Sequence, residues 1–102
     1  MKRLPNLSKS MELIFRSSFY REFDRLKNKD VLNSLKNIFN QIGKAESIDE
    51  IGNLKKLRNY TYYYRIKIKV SDKIDYRLVL MIRNNKVWAE SIALASKIFY
   101  KK

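Results

Sequence analysis

The sequence contains no cysteine and no histidine, and its only glycines are Gly43 and Gly52. Because cysteine is absent, the chain can form no disulfide and offers no thiolate nucleophile; nothing favours export, and we expect a cytoplasmic protein. Because histidine is absent, the commonest general base and the commonest metal ligand are both missing. Two isolated glycines provide no glycine-rich phosphate loop. The sequence therefore predicts neither a metal site nor a bound cofactor.

Long apolar runs are also lacking. No run approaches the ~20 residues that a membrane-spanning helix needs, so no membrane partner is expected. The first ten residues, MKRLPNLSKS, are basic but are followed by no apolar core, which argues against a secretory signal. Because 45% of the residues are hydrophobic, disorder is not expected. We expect residues 1–10 to form a basic arm and residues 11–102 to form one domain.

Acidic residues are few and unevenly placed. The chain has 23 Lys and Arg against 10 Asp and Glu, giving a net charge of +13. Residues 1–53 hold 10 basic and 7 acidic residues, whereas residues 54–102 hold 13 basic and only 3 acidic residues. Genomic bias toward lysine is an alternative explanation, but bias alone would not deplete acids in one half. The asymmetry favours a binding face for nucleic acid, anionic lipid or an acidic protein.

The basic half is organised around two runs with period-two alternation, which is typical of half-buried strands. The first run covers residues 62–70, and the second covers residues 74–82 after a short turn. The apolar side is predicted to carry Tyr64, Ile66, Ile68, Val70, Ile74, Tyr76, Leu78, Leu80 and Ile82. The opposite side is predicted to carry Tyr63, Arg65, Lys67, Lys69 and Arg77. This cationic side is the predicted contact surface for a polyanion.

Two amphipathic stretches with helical spacing precede the strands. Ser17 or Ser18 is the predicted N-cap of the first helix, and Asp30 is the predicted N-cap of the second, which would end at Gly43. The apolar stripes of the two helices are Phe19, Phe23 and Leu26, and then Val31, Leu35, Ile38, Phe39 and Ile42. Core packing against a sheet is the expected role of these side chains.

Further strand signals complete the pattern. Residues 12–16 and 54–58 read as short strands, Asn84-Asn85 as a two-residue hairpin turn, and residues 86–94 as the last strand. The predicted fold is α+β: an N-terminal strand, an α-helical hairpin, and a three- to four-stranded antiparallel sheet with the helices packed on one face.

The segments LKKLR, YYYRIKI, DYRLVL and IFY, in this order, resemble the RelE/ParE superfamily of bacterial toxins from toxin–antitoxin modules. The resemblance covers the chain from about Met11 to Tyr100. It implies a type II toxin, either an mRNA interferase like RelE, which cleaves mRNA in the ribosomal A site, or an inhibitor of DNA gyrase like ParE. It also implies a cognate antitoxin, which we expect to be acidic, and the ribosome and mRNA as further partners.

The resemblance implies four catalytic positions. The two cations of its YKIK-like strand fall on Arg65 and Lys67, the arginine of its YRL motif on Arg77, and its C-terminal aromatic residue on Tyr100. A His-Arg pair usually precedes that aromatic residue, but this chain has Ala95-Ser96-Lys97 there. Lys97 cannot bind phosphate in a bidentate manner, so it does not replace the missing arginine. For this reason a non-catalytic or gyrase-directed toxin is the alternative prediction.

The residues themselves can support cleavage of RNA by its own 2′-OH. A lysine crowded by cations releases its proton more readily, so Lys67 is the candidate base, whereas Arg65 and Arg77 would hold phosphate. Tyr100 would stack on a base or donate a proton. Further nucleic-acid contacts are predicted for Lys55, Lys56, Arg58, Lys69, Arg83 and Lys97.

Two structural roles compete with this chemistry. The alternating cations are also typical of the solvated face of an ordinary sheet. Arg77 stands among apolar neighbours and could pair internally with Asp75 or Glu90 in a salt bridge.

Overall fold

The computed structural model describes residues 11–95, so the predicted basic arm and the segment with Lys97 and Tyr100 lie outside the described residues. The described chain forms five strands, two α-helices and one short 3₁₀ turn. In chain order the elements are β1 (Glu12–Phe15), α1 (Ser17–Phe23), α2 (Lys29–Lys44), the 3₁₀ turn (Ile48–Glu50), β2 (Leu54–Lys56), β3 (Tyr63–Lys69), β4 (Asp75–Arg83) and β5 (Lys86–Leu94).

The five strands form one mixed sheet in the order β1-β5-β4-β3-β2. Strands β2 to β5 pair antiparallel, as the predicted fold has it. Strand β1 lies parallel to β5, and the backbone N–H groups of Glu12 and Arg16 donate to the carbonyls of Asn85 and Ala89 at 3.0 Å. A parallel pair needs a long crossover, and here the two helices and the other strands provide it.

The hydrophobic core lies between the helices and one face of the sheet. From the helices, Phe19, Val31, Leu35 and Ile42 are buried. From the strands, the buried members of the core are Ile66, Ile68, Leu78, Leu80, Ile82, Val87, Ala89 and Ile92. Burying a large aliphatic or aromatic side chain contributes roughly 1.5–3 kcal/mol. This burial fixes which side of the sheet remains uncovered by α1 and α2.

The helix ends differ from the predicted ones. The N-cap of α2 is Asn28, whose side-chain Oδ1 accepts from the N–H groups of Asp30 at 2.9 Å and Val31 at 3.2 Å. The predicted cap at Asp30 is therefore wrong, because that residue lies in the first helical turn, where its charge still suits the helix dipole. The predicted stop at Gly43 is also wrong, since α2 continues through Lys44 and its C-cap, Ala45, is extended.

The predicted serine cap of α1 is absent. Arg16 occupies the N-cap position, and no side chain caps the helix there. Ser18 instead donates its hydroxyl to the carbonyl of Glu90 at 2.7 Å, which ties the helix to β5.

The β4–β5 hairpin turns at Asn84 and Asn85, as predicted, with φ of 53° and 65°. Positive φ at both central residues is the type I′ geometry that suits the twist of paired strands. Further along, Val79 pairs with Ser91 but Leu80 pairs with Ala89, so Glu90 is an extra residue on β5. This bulge shifts the alternation of β5 and keeps Ile92 on the core side.

Candidate nucleic-acid interface

The outer face of the sheet is defined here as the side of β2, β3 and β4 turned away from the two helices. Its side chains are Lys55, Tyr63, Arg65, Lys67, Lys69, Asp75, Arg77, Val79, Met81 and Arg83. Lys67 lies directly opposite Arg77, and Lys55 lies directly opposite Arg65. Directly opposite side chains have Cβ atoms about 4.5–5.5 Å apart. The register therefore brings Arg65, Lys67 and Arg77 into one cationic patch.

Carboxylates neutralise little of this patch. The Nζ atom of Lys67 lies 4.0 Å from Oδ2 of Asp75, and both side chains are solvent-accessible, so the pair contributes little. Glu90 is 2.9 Å from Nε of Arg16. Within residues 11–95, Arg77 forms no ion pair, so the proposed internal partners Asp75 and Glu90 are wrong.

Arg77 has an unusual environment for a guanidinium group. Its Nε atom is buried and has no hydrogen-bond partner in the described part of the chain. Its neighbour on the outer face, Val79, is also buried. An unpaired buried donor costs roughly 1–3 kcal/mol. An acceptor that reached this donor would remove that cost.

A polar cleft borders the patch on the β2 side, with a volume of about 590 Å³. Four cationic side chains and two residues at the start of β2 line the cleft. The cations are Lys55, Arg65, Lys67 and Lys69, and the other two residues are Asn53 and Leu54. Arg77 does not line the cleft, but it lies across the β3–β4 pair from Lys67. The cleft and Arg77 thus approach Lys67 from opposite sides.

The remaining predicted contacts lie elsewhere. Lys56 and Arg58 line a second cleft of about 550 Å³ at the β2–β3 connection. Arg83 is at the far end of β4, with Cζ 5.0 Å from the ring centroid of Tyr62. Lys97 and Tyr100 lie outside the described residues. The structure therefore groups Lys55 and Lys69 with the catalytic candidates and separates Lys56 and Arg58 from them, whereas Arg83 lies on the same outer face at the far end of β4.

No family model and no curated protein matches the chain. Solved structures do match it. A chain of the RelB-RelE antitoxin-toxin complex from Methanococcus jannaschii has a TM-score of 0.63 at 18% identity, over 78% of this chain and 87% of that one. A conserved hypothetical protein from Helicobacter pylori has a TM-score of 0.59 at 20% identity, over 87% of this chain and 99% of that one. This chain has a RelE-like fold.

A second Helicobacter pylori structure, a copper-bound mutant toxin, has the same fold with a TM-score of 0.55 at 14% identity, over 87% of this chain and 99% of that one. The fold predicted from the sequence is thereby confirmed. At these identities the likeness establishes the RelE-like fold alone, because one fold can carry different activities. The activity has to be argued from the residues on the outer face.

Sequence reasoning missed two residues at these sites. Asn53, with φ of 60°, lines the polar cleft, and Tyr62, with φ of 70°, contacts Arg83. The Gly52-Asn53 pair did signal a turn, since Asn tolerates positive φ. Nothing local marked Tyr62, because a bulky side chain rarely adopts that conformation.

Metal and membrane sites receive no support from the described residues. Between residues 11 and 95, no group of three or more Asp and Glu lies close enough to hold a metal ion. Neither described helix is long and apolar enough to span a membrane.

Proposed function

We propose that the protein is the toxin of a type II toxin–antitoxin system and acts as a ribosome-dependent mRNA endonuclease. One observation carries the proposal: on a RelE-like fold, Arg65, Lys67 and Arg77 share the face turned away from the two helices, and Nε of Arg77 is buried without a described partner. Such a patch is suited to one phosphodiester, because guanidinium groups bind phosphate oxygens in a bidentate manner.

In the proposed reaction Lys67 is the group that accepts the proton of the ribose 2′-OH. The 2′-oxygen attacks the adjacent phosphorus, and the P–O5′ bond breaks. The products are a 2′,3′-cyclic phosphate and a 5′-hydroxyl end. Arg65 and Arg77 stabilise the charge of the crowded phosphorane. Tyr100, which lies outside the described residues, is the proposed proton donor or stacking partner. Each such group typically contributes ~10²–10⁴-fold.

The proposed inhibitor is a cognate antitoxin with an acidic, amphipathic segment that covers the outer face. Two features support this partner. Residues 54–102 hold 13 basic and only 3 acidic residues, so an acidic segment would be attracted. The matched chain from Methanococcus jannaschii comes from an antitoxin-toxin complex. A short, acidic, DNA-binding partner encoded beside this gene would support the system.

Induction in growing cells tests the nuclease. The expected result is growth arrest, with new transcript 5′ ends inside codons. If translation continues and no new 5′ ends appear, the protein is not an mRNA endonuclease.

One sequence feature favours a second candidate, inhibition of DNA gyrase as by ParE. The His-Arg pair expected before Tyr100 is replaced by Ala95-Ser96-Lys97, so one phosphate ligand is missing. A gyrase inhibitor would cause DNA-damage signalling and supercoiling defects during induction. Intact plasmid supercoiling in arrested cells would exclude that candidate.

A further inference from the structure

Tyr62 is held in a conformation that a bulky side chain rarely adopts. Its φ is 70°, and its carbonyl accepts from the N–H of Ile82 at 2.8 Å. Despite this anchoring, the residue remains 42% exposed. Its backbone is thus fixed in an unfavourable region while its side chain faces solvent. Strained residues of this kind concentrate at functional sites.

One side of the Tyr62 ring is covered by a cation. The Cζ atom of Arg83 lies 5.0 Å from the ring centroid, which is within cation–π range. No other ring of residues 11–95 packs against Tyr62; the nearby ring pair is Tyr60 with Tyr63, at 6.0 Å. The arrangement leaves an aromatic surface next to a positive charge, with no ring partner from the described part of the chain.

The Tyr62–Arg83 pair is connected to the catalytic candidates by the outer face. Arg83 and Arg77 are an even number of residues apart on β4, so their side chains share that face. Six residues of strand span about 20 Å. Between the two arginines lies Met81, which is opposite Tyr63 on one side and Trp88 on the other. Along the strand, Arg77 is therefore followed by Met81 with its neighbours Tyr63 and Trp88, and then by the Tyr62–Arg83 pair.

We infer that Tyr62 and Arg83 form a stacking platform for one base of single-stranded RNA whose backbone extends from the Arg65, Lys67 and Arg77 patch. The inference rests on the proposed RNA substrate and adds a second subsite to it. Base–aromatic stacking tolerates any base, because every base has a π-face. The platform would position the strand a few nucleotides from the cleaved phosphate without reading its sequence.

Binding to two matched oligonucleotides tests the platform. The first is oligoadenylate carrying 2′-O-methyl groups, which block cleavage; the second has the same backbone without bases. Fluorescence anisotropy of the wild type should show about tenfold tighter binding of the base-containing strand. Tyr62→Phe should keep this preference, because the ring remains. Tyr62→Gly should abolish it and leave binding of the abasic strand unchanged.

The stability of Tyr62→Gly separates a binding role from a structural one. Glycine adopts positive φ without strain, so the melting temperature of this variant should equal or exceed that of the wild type. The platform is overturned if Tyr62→Gly retains the preference for the base-containing strand, if it loses affinity for both strands equally, or if the wild type shows no preference.

These outcomes are independent of the cleavage test. Suppose that the preference for the base-containing strand depends on Tyr62 but that no new transcript 5′ ends appear. This result would support the stacking platform and exclude the proposed nuclease activity. If the wild type instead binds both strands equally and new 5′ ends appear, the stacking platform is excluded and the proposed nuclease activity is supported.

Discussion

Arg77 is unfavourable for folding, and we propose that it binds phosphate. Its Nε atom is buried without a partner among the described residues, and Lys67, a like charge, lies directly opposite. Both features oppose folding, because unpaired buried donors and opposed like charges are destabilising. We expect Arg77→Ala to abolish toxicity while the free energy of unfolding stays equal or rises by up to about 1 kcal/mol.

Thermal denaturation and growth after induction measure the two effects. The matched control is Arg25→Ala, which removes an exposed arginine from the helical side of the molecule and should remain toxic. A clear loss of stability in Arg77→Ala would mean that the arginine serves the fold. Unchanged toxicity would remove it from the site.

Lys67 can be tested as a base rather than as a charge. Arginine keeps the positive charge but cannot deprotonate. Lys67→Arg should therefore retain RNA affinity yet lose about 10²-fold or more in cleavage rate, whereas Lys67→Met should lose both. Single-turnover cleavage and equilibrium binding separate these effects. A Lys67→Arg variant that cleaves at the wild-type rate would show that another group accepts the proton.

At the residue scale, the sequence predicted which side chains share a face but not their partners. Period-two alternation placed Arg65, Lys67 and Arg77 on the outer face. The ion pair of Arg16 with Glu90 could not be predicted, because it depends on contacts 74 positions apart. The same holds for the unpaired Nε of Arg77, since burial on the outer face is a tertiary property.

At the scale of elements, α2 begins two residues earlier than the sequence indicated. Because Asn28 accepts hydrogen bonds from two N–H groups, Asn28→Ala should cost about 1 kcal/mol of stability. Asp30→Ala should cost less, since it removes only an interaction with the helix dipole, worth about 0.3–1 kcal/mol. Urea unfolding of both variants measures the difference. A larger loss in Asp30→Ala would contradict the cap seen in the structure.

The strands were predictable where a local pattern specified them. Asn84-Asn85 has few alternatives to a type I′ turn, and β5 spans the predicted residues 86–94. The parallel pairing of β1 with β5 has no local signal, because the register depends on the whole crossover. The bulge at Glu90 was not predicted either. Its one signal in the sequence is the spacing of the apolar residues Val87, Ala89 and Ile92, which departs from strict alternation.

At the scale of the whole molecule, the excess of basic residues in the C-terminal half of the sequence corresponds to a cationic outer face of the sheet. The cations of the polar cleft lie on the outer face, and the hydrophobic core separates them from the helices. RNA affinity should therefore fall steeply with salt concentration, with a slope set by the phosphates contacted. Replacing Lys55 and Lys69 by Gln should reduce the slope by about 0.7 for each lost contact.

Titration of RNA binding between low and physiological salt measures that slope. The control replaces Lys29 and Lys36 on α2 by Gln, which removes the same charge from the helical side. If both double variants change the slope equally, net charge rather than the cleft governs binding.

We propose that Arg65, Lys67 and Arg77 together hold one phosphodiester of mRNA on the ribosome. Cleavage of a defined mRNA on purified ribosomes, mapped by primer extension, tests this claim most directly. The wild type should cut within the A-site codon and leave a 5′-hydroxyl end, and Arg77→Ala should reduce the rate by about 10²–10⁴-fold. Intact mRNA with the wild type, or equal cutting by folded Arg77→Ala, would contradict it.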